Sequence, residues 1–204
     1  MRRHPLLVEV ETFLTRHLTI DRKLARSTVL SYRDTLKLFL NHCQDGKKGK
    51  FHFDIGLINY DTILKFLARI ENARQCAVST RNQRLAAMKS FAKFLLLRHP
   101  ESSATISRVM SLSFKKTSRK LKNYLDEQEI KVFLSCCEGP KWVQRRNALM
   151  FDFMIQTGVR VSELISVKPE DLCLSHDPFV KIRGKGRKER AIPLRRIFHV
   201  MEIQ

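Results

Sequence analysis

The stretch Thr157-Gly158-Val159-Arg160-Val161-Ser162-Glu163-Leu164 decides how the second half of the chain is organised. It follows an apolar run, residues 147–156, whose pattern predicts a buried helix. Gly158 suits the position just after a helix end, because glycine adopts the left-handed backbone conformation at little cost. A short amphipathic helix is predicted next, with an apolar face formed by Val161, Leu164 and Ile165. Arg160 is therefore predicted at the junction where one helix ends and another begins.

Arg160 is the first candidate for phosphate binding. Amide groups at a helix N-terminus carry partial positive charge, and a guanidinium holds two phosphoryl oxygens at once. Together they could form a phosphate cradle. The second interpretation is a surface ion pair between Arg160 and Glu163. For a single arginine in a basic protein this ion pair is the more common arrangement, and the stretch alone leaves both open.

The second candidate is a predicted β-hairpin further along the chain. Residues 179–182 and 191–194 have the composition of two strands, and Gly184-Lys185-Gly186-Arg187 is the tip between them. Because glycines let the backbone approach a ligand closely, Lys185 could contact phosphate, or donate a proton to a leaving oxygen if its pKa is lowered. The alternative is a tip whose charges only maintain solubility, which is the stronger interpretation for Lys188 and Arg190.

The first half of the chain has the periodicity of four helices. Apolar residues recur at helical spacing in four segments between residues 6 and 96. Ser27 and Asp61 are the predicted N-caps of the second and third segments. Thr80 and Gln83 have the spacing of a capping box at the start of the fourth.

Composition divides the chain into two domains. Residues 3–101 are predicted to form a helical domain. Residues 102–122 are rich in Ser, Thr and basic side chains, which predicts a basic linker. Such a linker either lies against an anionic partner or is a solvated spacer. Residues 123–204 form the second domain, whose first helix begins at the capping-box pair Asp126 and Glu129.

The charge of the chain indicates a polyanionic partner. Lys and Arg number 39 against 20 Asp and Glu, a net charge of +19 that favours binding to phosphate backbones. A nucleic acid is therefore the predicted partner, and a basic RNA-binding protein is the less specific alternative. A membrane partner is disfavoured, because the basic residues are spread along the chain instead of forming one amphipathic face. The five cysteines have no C-x-x-C spacing, so the sequence predicts reduced thiols in a cytoplasmic protein and no metal site.

Taken together and in this order, these motifs resemble the tyrosine site-specific recombinases, which include phage integrases and Xer-type resolvases. TGVRVSELISVKPEDL (157–172) is similar to the segment that carries the family's first catalytic arginine. IRGKGRKERAIPL (182–194) is similar to the β-hairpin that carries its catalytic lysine. STVLSYRDTLKLFL (27–40) and STRNQRLAAMKSFAKFLL (79–96) resemble its core-binding domain, and YLDEQEIKVFL (124–134) resembles the opening of its catalytic domain. The resemblance covers nearly the whole chain.

The resemblance implies a fold that is mainly α with a small β-hairpin or sheet. A helical SAM-like core-binding domain would be followed by the first part of an α+β catalytic domain. The implied function is site-specific DNA recombination and integration, in which a tyrosine attacks a phosphodiester and forms a 3′-phosphotyrosyl link without metal or cofactor. Catalytic roles fall on Arg160 and Lys185, with Glu163 bracing the site. The implied partners are double-stranded DNA and other recombinase subunits, assembled as a tetramer.

The resemblance also implies that helices of the core-binding domain enter the major groove and contact the DNA backbone. The polar residues that fit such contacts lie on the second and fourth helices and in the basic linker. They are Ser27, Thr28, Arg33, Thr80, Arg81, Arg84, Lys89, Lys115, Lys116, Arg119 and Lys120. For each residue taken singly, ordinary surface charge is an equally good explanation.

The chain departs from the family pattern after the hairpin. The family has a His-x-x-Arg box and a nucleophilic tyrosine there, whereas this sequence contains no His-x-x-Arg. All of its tyrosines precede Arg160, namely Tyr32, Tyr60 and Tyr124. We therefore expect a C-terminally truncated recombinase that does not cleave DNA alone, or alternatively a non-catalytic duplex-DNA-binding regulator on the same scaffold. A two-metal nuclease would need clustered carboxylates, and it is disfavoured. The acids near one another in the second half are predicted to serve helix packing and helix capping; they are Asp152, Glu163 and Asp171.

Overall fold

The structure is a computed structural model that describes residues 4–46, 51–117, 124–184 and 188–194. The chain divides into two compact units, Met1–Lys120 and Leu121–Gln204. The first is helical, and the second combines helices with a three-stranded antiparallel sheet, which confirms the predicted fold class. Within these described ranges, no helix is both long enough and apolar enough to cross a membrane.

The first unit contains the four predicted helical segments and a shorter fifth one. The first segment continues from an α-helix into a π-helix, Phe13–Asp21. The α-helices are α1 (Pro5–Thr12), α2 (Arg26–Gln44), α3 (Tyr60–Arg74), α4 (Val78–Arg98) and α5 (Ser103–Ser107). One apolar core joins them, and its largest fully buried side chains are phenylalanines, namely Phe13, Phe39, Phe66 and Phe91. Burial of these rings is the main stabilising contribution to the unit.

The predicted N-caps of this unit are wrong. Helix α3 is capped by Asn59, whose Oδ1 accepts from the Thr62 amide at 2.8 Å, and Asp61 lies in the first turn. Helices α2 and α4 begin after Ala25 and Ala77, and neither has a side-chain cap. Ser27 and Thr80 therefore lie inside the first turn of their helices.

The beginning of the predicted linker is packed against the first unit. Residues 100–111 form two short 3₁₀ segments, Pro100–Ser102 and Arg108–Ser111, on either side of α5. Ile106, Val109 and Leu112 are buried in the core of this unit. The three apolar side chains are spaced three residues apart, so one face of a helical turn packs inward. The first part of the segment predicted as a linker therefore packs within the first unit, and the predicted linker bounds, 102–122, stay a prediction.

The second unit begins with α6 (Glu127–Cys137) and α7 (Trp142–Thr157). The Asp126–Glu129 capping box is confirmed, because each side chain accepts from the other residue's backbone amide. Gly158 is confirmed as the left-handed residue that ends α7, with φ of 63°. The prediction that α7 is a buried helix is wrong, because Phe153 is its only buried residue.

The sheet of the second unit follows α8 (Val161–Leu164). Its strands are β1 (Leu172–Cys173), β2 (Phe179–Arg183) and β3 (Glu189–Pro193), in the order β1-β2-β3. β2 and β3 are the predicted hairpin strands, and Val180 pairs with Ile192 in their register. A small core holds the sheet against α7, and its buried members are Phe153, Val159, Val180, Ile182 and Leu194.

Candidate phosphate-binding and nucleic-acid sites

Glu163 is the centre of a polar cluster in the second unit. Although it is a carboxylate, the residue is only 5% exposed. It accepts hydrogen bonds from both sides: the Arg160 amide and Nη1 lie 2.9 and 3.2 Å from its oxygens, and Arg190 Nη2 and Nη1 lie at 3.0 and 3.3 Å. A buried carboxylate needs such partners, and two guanidinium groups supply them. Glu163 therefore joins α8 to strand β3.

The ionised form of Glu163 is strongly favoured. Hydrogen bonds from the Arg190 side chain and then from the Arg160 backbone amide lower the pKa of this carboxyl from 4.5 to about 2. The carboxylate stays negative under all ordinary conditions, so it holds both guanidinium groups by charge as well as by geometry. This arrangement fits the bracing role expected of Glu163.

Arg160 lies at the N-cap of α8, at the helix junction that its sequence predicts. Its side chain pairs with Glu163 yet is 72% exposed, so most of its N–H donors face solvent. The predicted contribution from helix amides is weak, because α8 has only four residues and the Arg160 amide already donates to Glu163. Both predicted interpretations of Arg160 therefore apply in part: an ion pair is formed, and an anchored guanidinium stays available to an anion.

Arg190 and Gly184 also belong to this cluster, although the sequence predicts no contact between them and Glu163. Arg190 was interpreted as a solubilising charge, but it binds Glu163 through two nitrogens. A Cβ at Gly184 would lie 2.9 Å from Arg190 Nη1 and 3.3 Å from Glu163 Oε1, so the glycine makes room for the pair. Strand alternation would have found Arg190, since it lies two residues before Ile192 and pairs with the buried Ile182.

In the first unit, the structure brings three of the predicted DNA-contacting residues into one groove. Ser27 from the start of α2 and Thr80 and Arg84 from α4 line it. The groove has a volume of about 410 Å³, and its other lining residues are Leu30, Ser31, Asp34, Thr35 and Gln83. Thr28 is half-buried beside Ser27, and Arg33 is exposed and pairs with Asp34 at 3.0 Å. The groove is a candidate contact surface for a phosphate backbone.

Two helix N-termini belong to the segments that form this groove. Neither α2 nor α4 has a side-chain cap or an acidic residue in its first turn. Helix α3, in contrast, has both the Asn59 cap and Asp61. Uncapped amides and the positive end of the helix dipole favour phosphate oxygens. Among the residues that the structure describes, no side chain caps the N-terminus of either of these two helices.

Three other predicted contact residues are engaged within the first unit. Arg81 is 5% exposed, and its Nη1 donates to the Ser113 carbonyl at 3.1 Å. Lys89 Nζ donates to the Met110 carbonyl at 2.8 Å, and Lys115 Nζ binds the Glu71 carboxylate at 2.7 Å. Of the two neighbouring arginines Arg81 and Arg84, only Arg84 lines the groove. Lys116 is exposed.

Known proteins match the chain over almost all of its length. It is 32% identical over 95% of its length to y4rC and to y4rD of Sinorhizobium fredii, two proteins named as integrase/recombinases, and spans 59% and 70% of their lengths. Residues 10–99 match the Phage integrase, N-terminal SAM-like domain, and residues 123–203 match the Phage integrase family. The chain belongs to the tyrosine recombinase family.

A solved recombinase shares the fold. The XerH site-specific recombinase in a post-cleavage complex with its difH substrate matches 88% of this chain with a TM-score of 0.62, at 21% identity. The chain spans 51% of that recombinase and 58% of the tyrosine recombinase XerC of Staphylococcus epidermidis, to which it is 27% identical over 90% of its own length. It thus spans between half and 70% of the relatives named here.

Three of the predicted site residues lie outside the described residues. They are the hairpin-tip Lys185 and the linker residues Arg119 and Lys120. The acids considered for metal binding are described, and each has a separate partner. Asp152 accepts from Gln156 at 2.7 Å, Asp171 accepts from the Lys168 amide at 3.0 Å, and Glu163 binds the two arginines. Across the described ranges, no group of three or more potential ligand side chains is arranged around a metal position.

Proposed function

We propose that this recombinase chain binds duplex DNA and contributes part of a phosphate-binding site for phosphotyrosyl strand exchange in site-specific recombination and integration. The observation that carries the proposal is the guanidinium of Arg160, held on the buried Glu163 and exposed to solvent within the segment that matches the family. Preorganised donors of this kind stabilise the negative charge that develops on a phosphoryl group under attack.

Each named residue has a distinct task in this proposal. Arg160 binds a non-bridging oxygen of the scissile phosphate, and Glu163 positions Arg160 through charge and hydrogen bonds. Lys185 protonates the leaving 5′-oxygen, in the role that the family resemblance assigns to it. The groove of the first unit, with Ser27, Thr80 and Arg84, contacts the DNA backbone.

The 204-residue chain by itself is proposed to bind DNA without cleaving it. Its sequence has no His-x-x-Arg, and Tyr124 is its last tyrosine, before Arg160. Without a tyrosine hydroxyl positioned beside Arg160, no covalent phosphotyrosyl link can form. A nicked duplex that traps such links should therefore yield no detergent-resistant protein–DNA adduct. An adduct would disprove this part of the proposal.

DNA binding is tested by fluorescence anisotropy with a labelled duplex at increasing salt. The logarithm of the association constant should fall linearly with the logarithm of the salt concentration, because cationic side chains displace counterions from the phosphates. Arg160→Gln should weaken binding at every salt concentration while leaving the helical content unchanged. Binding that is insensitive to salt, or single-stranded RNA that outcompetes the duplex, would contradict the proposal.

Assembly on DNA is a further part of the proposal. The family resemblance implies recombinase subunits assembled as a tetramer on DNA. Sedimentation velocity with and without a long duplex distinguishes one subunit per duplex from cooperative assembly. A single bound subunit at saturating protein would favour the regulator interpretation, in which the chain occupies DNA without building a recombination complex.

A further inference from the structure

The segment from Arg108 to Thr117, here called the strap, runs along α4 at the end of the first unit. Its first half is held by apolar burial, since Val109 and Leu112 lie in the core. Residues 113–117 are all exposed. Apolar packing therefore does not explain why the second half of the strap follows the helix.

Asn82 on α4 holds the second half of the strap by pairing with both backbone groups of Lys115. Its Nδ2 donates to the Lys115 carbonyl at 2.8 Å, and its Oδ1 accepts from the Lys115 amide at 3.1 Å. One donated and one accepted hydrogen bond to the same residue is also the pattern by which a paired β-strand binds its neighbour. Arg81 Nη1 donates both to Asn82 Oδ1 at 3.2 Å and to the Ser113 carbonyl at 3.1 Å, which orients the amide. These four residues form what we call the clasp.

Two lysines reinforce the clasp. Lys115 Nζ binds both oxygens of Glu71 on α3, at 2.7 and 2.8 Å. Lys89 Nζ donates to the Met110 carbonyl at 2.8 Å and lies 5.1 Å from the centre of the Phe114 ring. Side chains of α3 and α4 thus contact four residues of the strap, namely Met110, Ser113, Phe114 and Lys115.

The use of Arg81 in the clasp is unusual. It is 5% exposed, and its guanidinium has no carboxylate partner within the described residues. Burial of a charged group is unfavourable unless hydrogen bonds compensate for the lost water. Here the compensating acceptors are the Ser113 carbonyl and the Asn82 amide oxygen, so the buried charge depends on the strap keeping its place.

We infer that Asn82 is a positioning residue for DNA binding, because the clasp fixes residues 113–115, close to the last described residue before the second unit. The inference rests on the proposed function, in which residues of both units contact the same duplex. A tether that is ordered before binding loses less conformational freedom when the second unit engages, and its effective concentration near the DNA is higher. Lys115 takes part by holding the strap instead of contacting DNA.

The test compares Asn82→Ala and Asn82→Asp with the wild-type chain. Alanine removes both bonds to Lys115. Aspartate keeps an acceptor for the Lys115 amide but places an oxygen against the Lys115 carbonyl, so it should also open the clasp. Asn41→Ala is the matched control, because Asn41 is an exposed asparagine on α2 that is not part of the clasp. Circular dichroism establishes that each variant keeps its helices.

Two measurements are made on each folded variant. The first is the rate of tryptic cleavage after Lys115 without DNA, followed by mass spectrometry. The second is the dissociation constant for a short duplex that only one unit can occupy and for a long duplex that both can reach. Both Asn82 variants should be cleaved faster after Lys115 and should bind the long duplex about threefold or more weakly, with unchanged affinity for the short one. Asn41→Ala should behave as wild type.

The outcomes separate this inference from the proposed function. Wild-type cleavage rates and long-duplex affinity in the Asn82 variants would overturn the inference. Equal weakening on both duplexes would also overturn it, since Asn82 would then contact DNA itself. If Asn82→Ala does not fold, Asn82→Asp decides. If the wild-type chain binds neither duplex, the proposed function fails, and the inference about DNA binding fails with it. Faster cleavage of the Asn82 variants after Lys115 would then show only that the clasp exists.

Discussion

Arg190 and Glu163 form a side-by-side pair, with Nη2 3.0 Å from Oε2 and Nη1 3.3 Å from Oε1. Arg190 lies on β3 and Glu163 on α8, so the pair ties the sheet to the short helix that presents Arg160. β2 and β3 form the base of the hairpin, and Lys185 lies between them in the sequence. Glu163 therefore links the base of the hairpin to Arg160, in addition to the small apolar core that holds the sheet.

Glu163→Gln should destabilise the second unit and remove part of its dependence on pH. The pKa of Glu163 is about 2 in the folded chain against an ordinary value of 4.5. Because the folded pKa is depressed, the stabilisation is fully present above pH 4.5 and is lost as the pH falls from 4.5 to about 2. Urea unfolding followed by the fluorescence of Trp142, the only tryptophan and a residue of α7, measures this unit.

The matched control for this substitution is Glu170→Gln. Glu170 is an exposed acid of the same unit in the 3₁₀ turn Pro169–Asp171. Glu170→Gln should change neither the stability of the second unit at neutral pH nor the loss of that stability below pH 4.5. An equal effect of the two substitutions would show that general charge, and not the cluster around Glu163, is responsible.

Gly184→Ala should loosen the pair between Arg190 and Glu163. The added Cβ would lie 2.9 Å from Arg190 Nη1, so the guanidinium must move away from the carboxylate. Because the Arg190 side chain is the first cause of the low pKa of Glu163, that pKa should rise toward 4.5. Carboxyl titration by NMR measures the change. In an Arg190→Gln background, Gly184→Ala should add little, and an additive effect would contradict the explanation.

Gly158→Ala should destabilise the second unit by about 1 kcal/mol through the backbone alone. Gly158 has φ of 63°, and nothing lies within 4 Å of the position that a Cβ would take. Steric crowding is therefore not involved. Gly158→Asn should cost less, since asparagine tolerates this conformation better. Unfolding in urea tests the order of the three variants, and equal losses for alanine and asparagine would argue against a conformational cause.

Arg84→Gln should affect DNA affinity and not stability, whereas Arg81→Gln should affect stability. Arg84 lines the groove, so its loss should reduce DNA affinity and lower the slope of the salt dependence of binding by about 1. The melting temperature of the Arg84→Gln variant should equal that of the wild-type chain. Arg81→Gln should cost about 1–3 kcal/mol of stability, because the carbonyl of Ser113 loses its charged donor. Anisotropy titrations and thermal melts on both variants make the comparison.

The sequence by itself determined those features whose physical cause is local. Helical periodicity defined the four helical segments of the first unit, because apolar side chains at that spacing must share one face. The Asp126–Glu129 capping box and the left-handed Gly158 depend on neighbouring residues alone. The motifs around Arg160 and Lys185 indicated the family, which the relatives confirm.

The tertiary structure alone decided which charged side chains face a ligand and which hold the chain together. Arg81 and Ser113 are 32 residues apart in sequence, and Glu163 and Arg190 are 27 apart. Such distant pairs leave no periodic signal, so Arg81, Lys89 and Lys115 could not be distinguished from surface charges. Strand alternation places Arg190 on the same face as Ile192, but its partner is a buried carboxylate that only folding brings within reach. The role of each of these residues depends on distant partners that offset the cost of burying a charged group, and not on local helix or strand propensity.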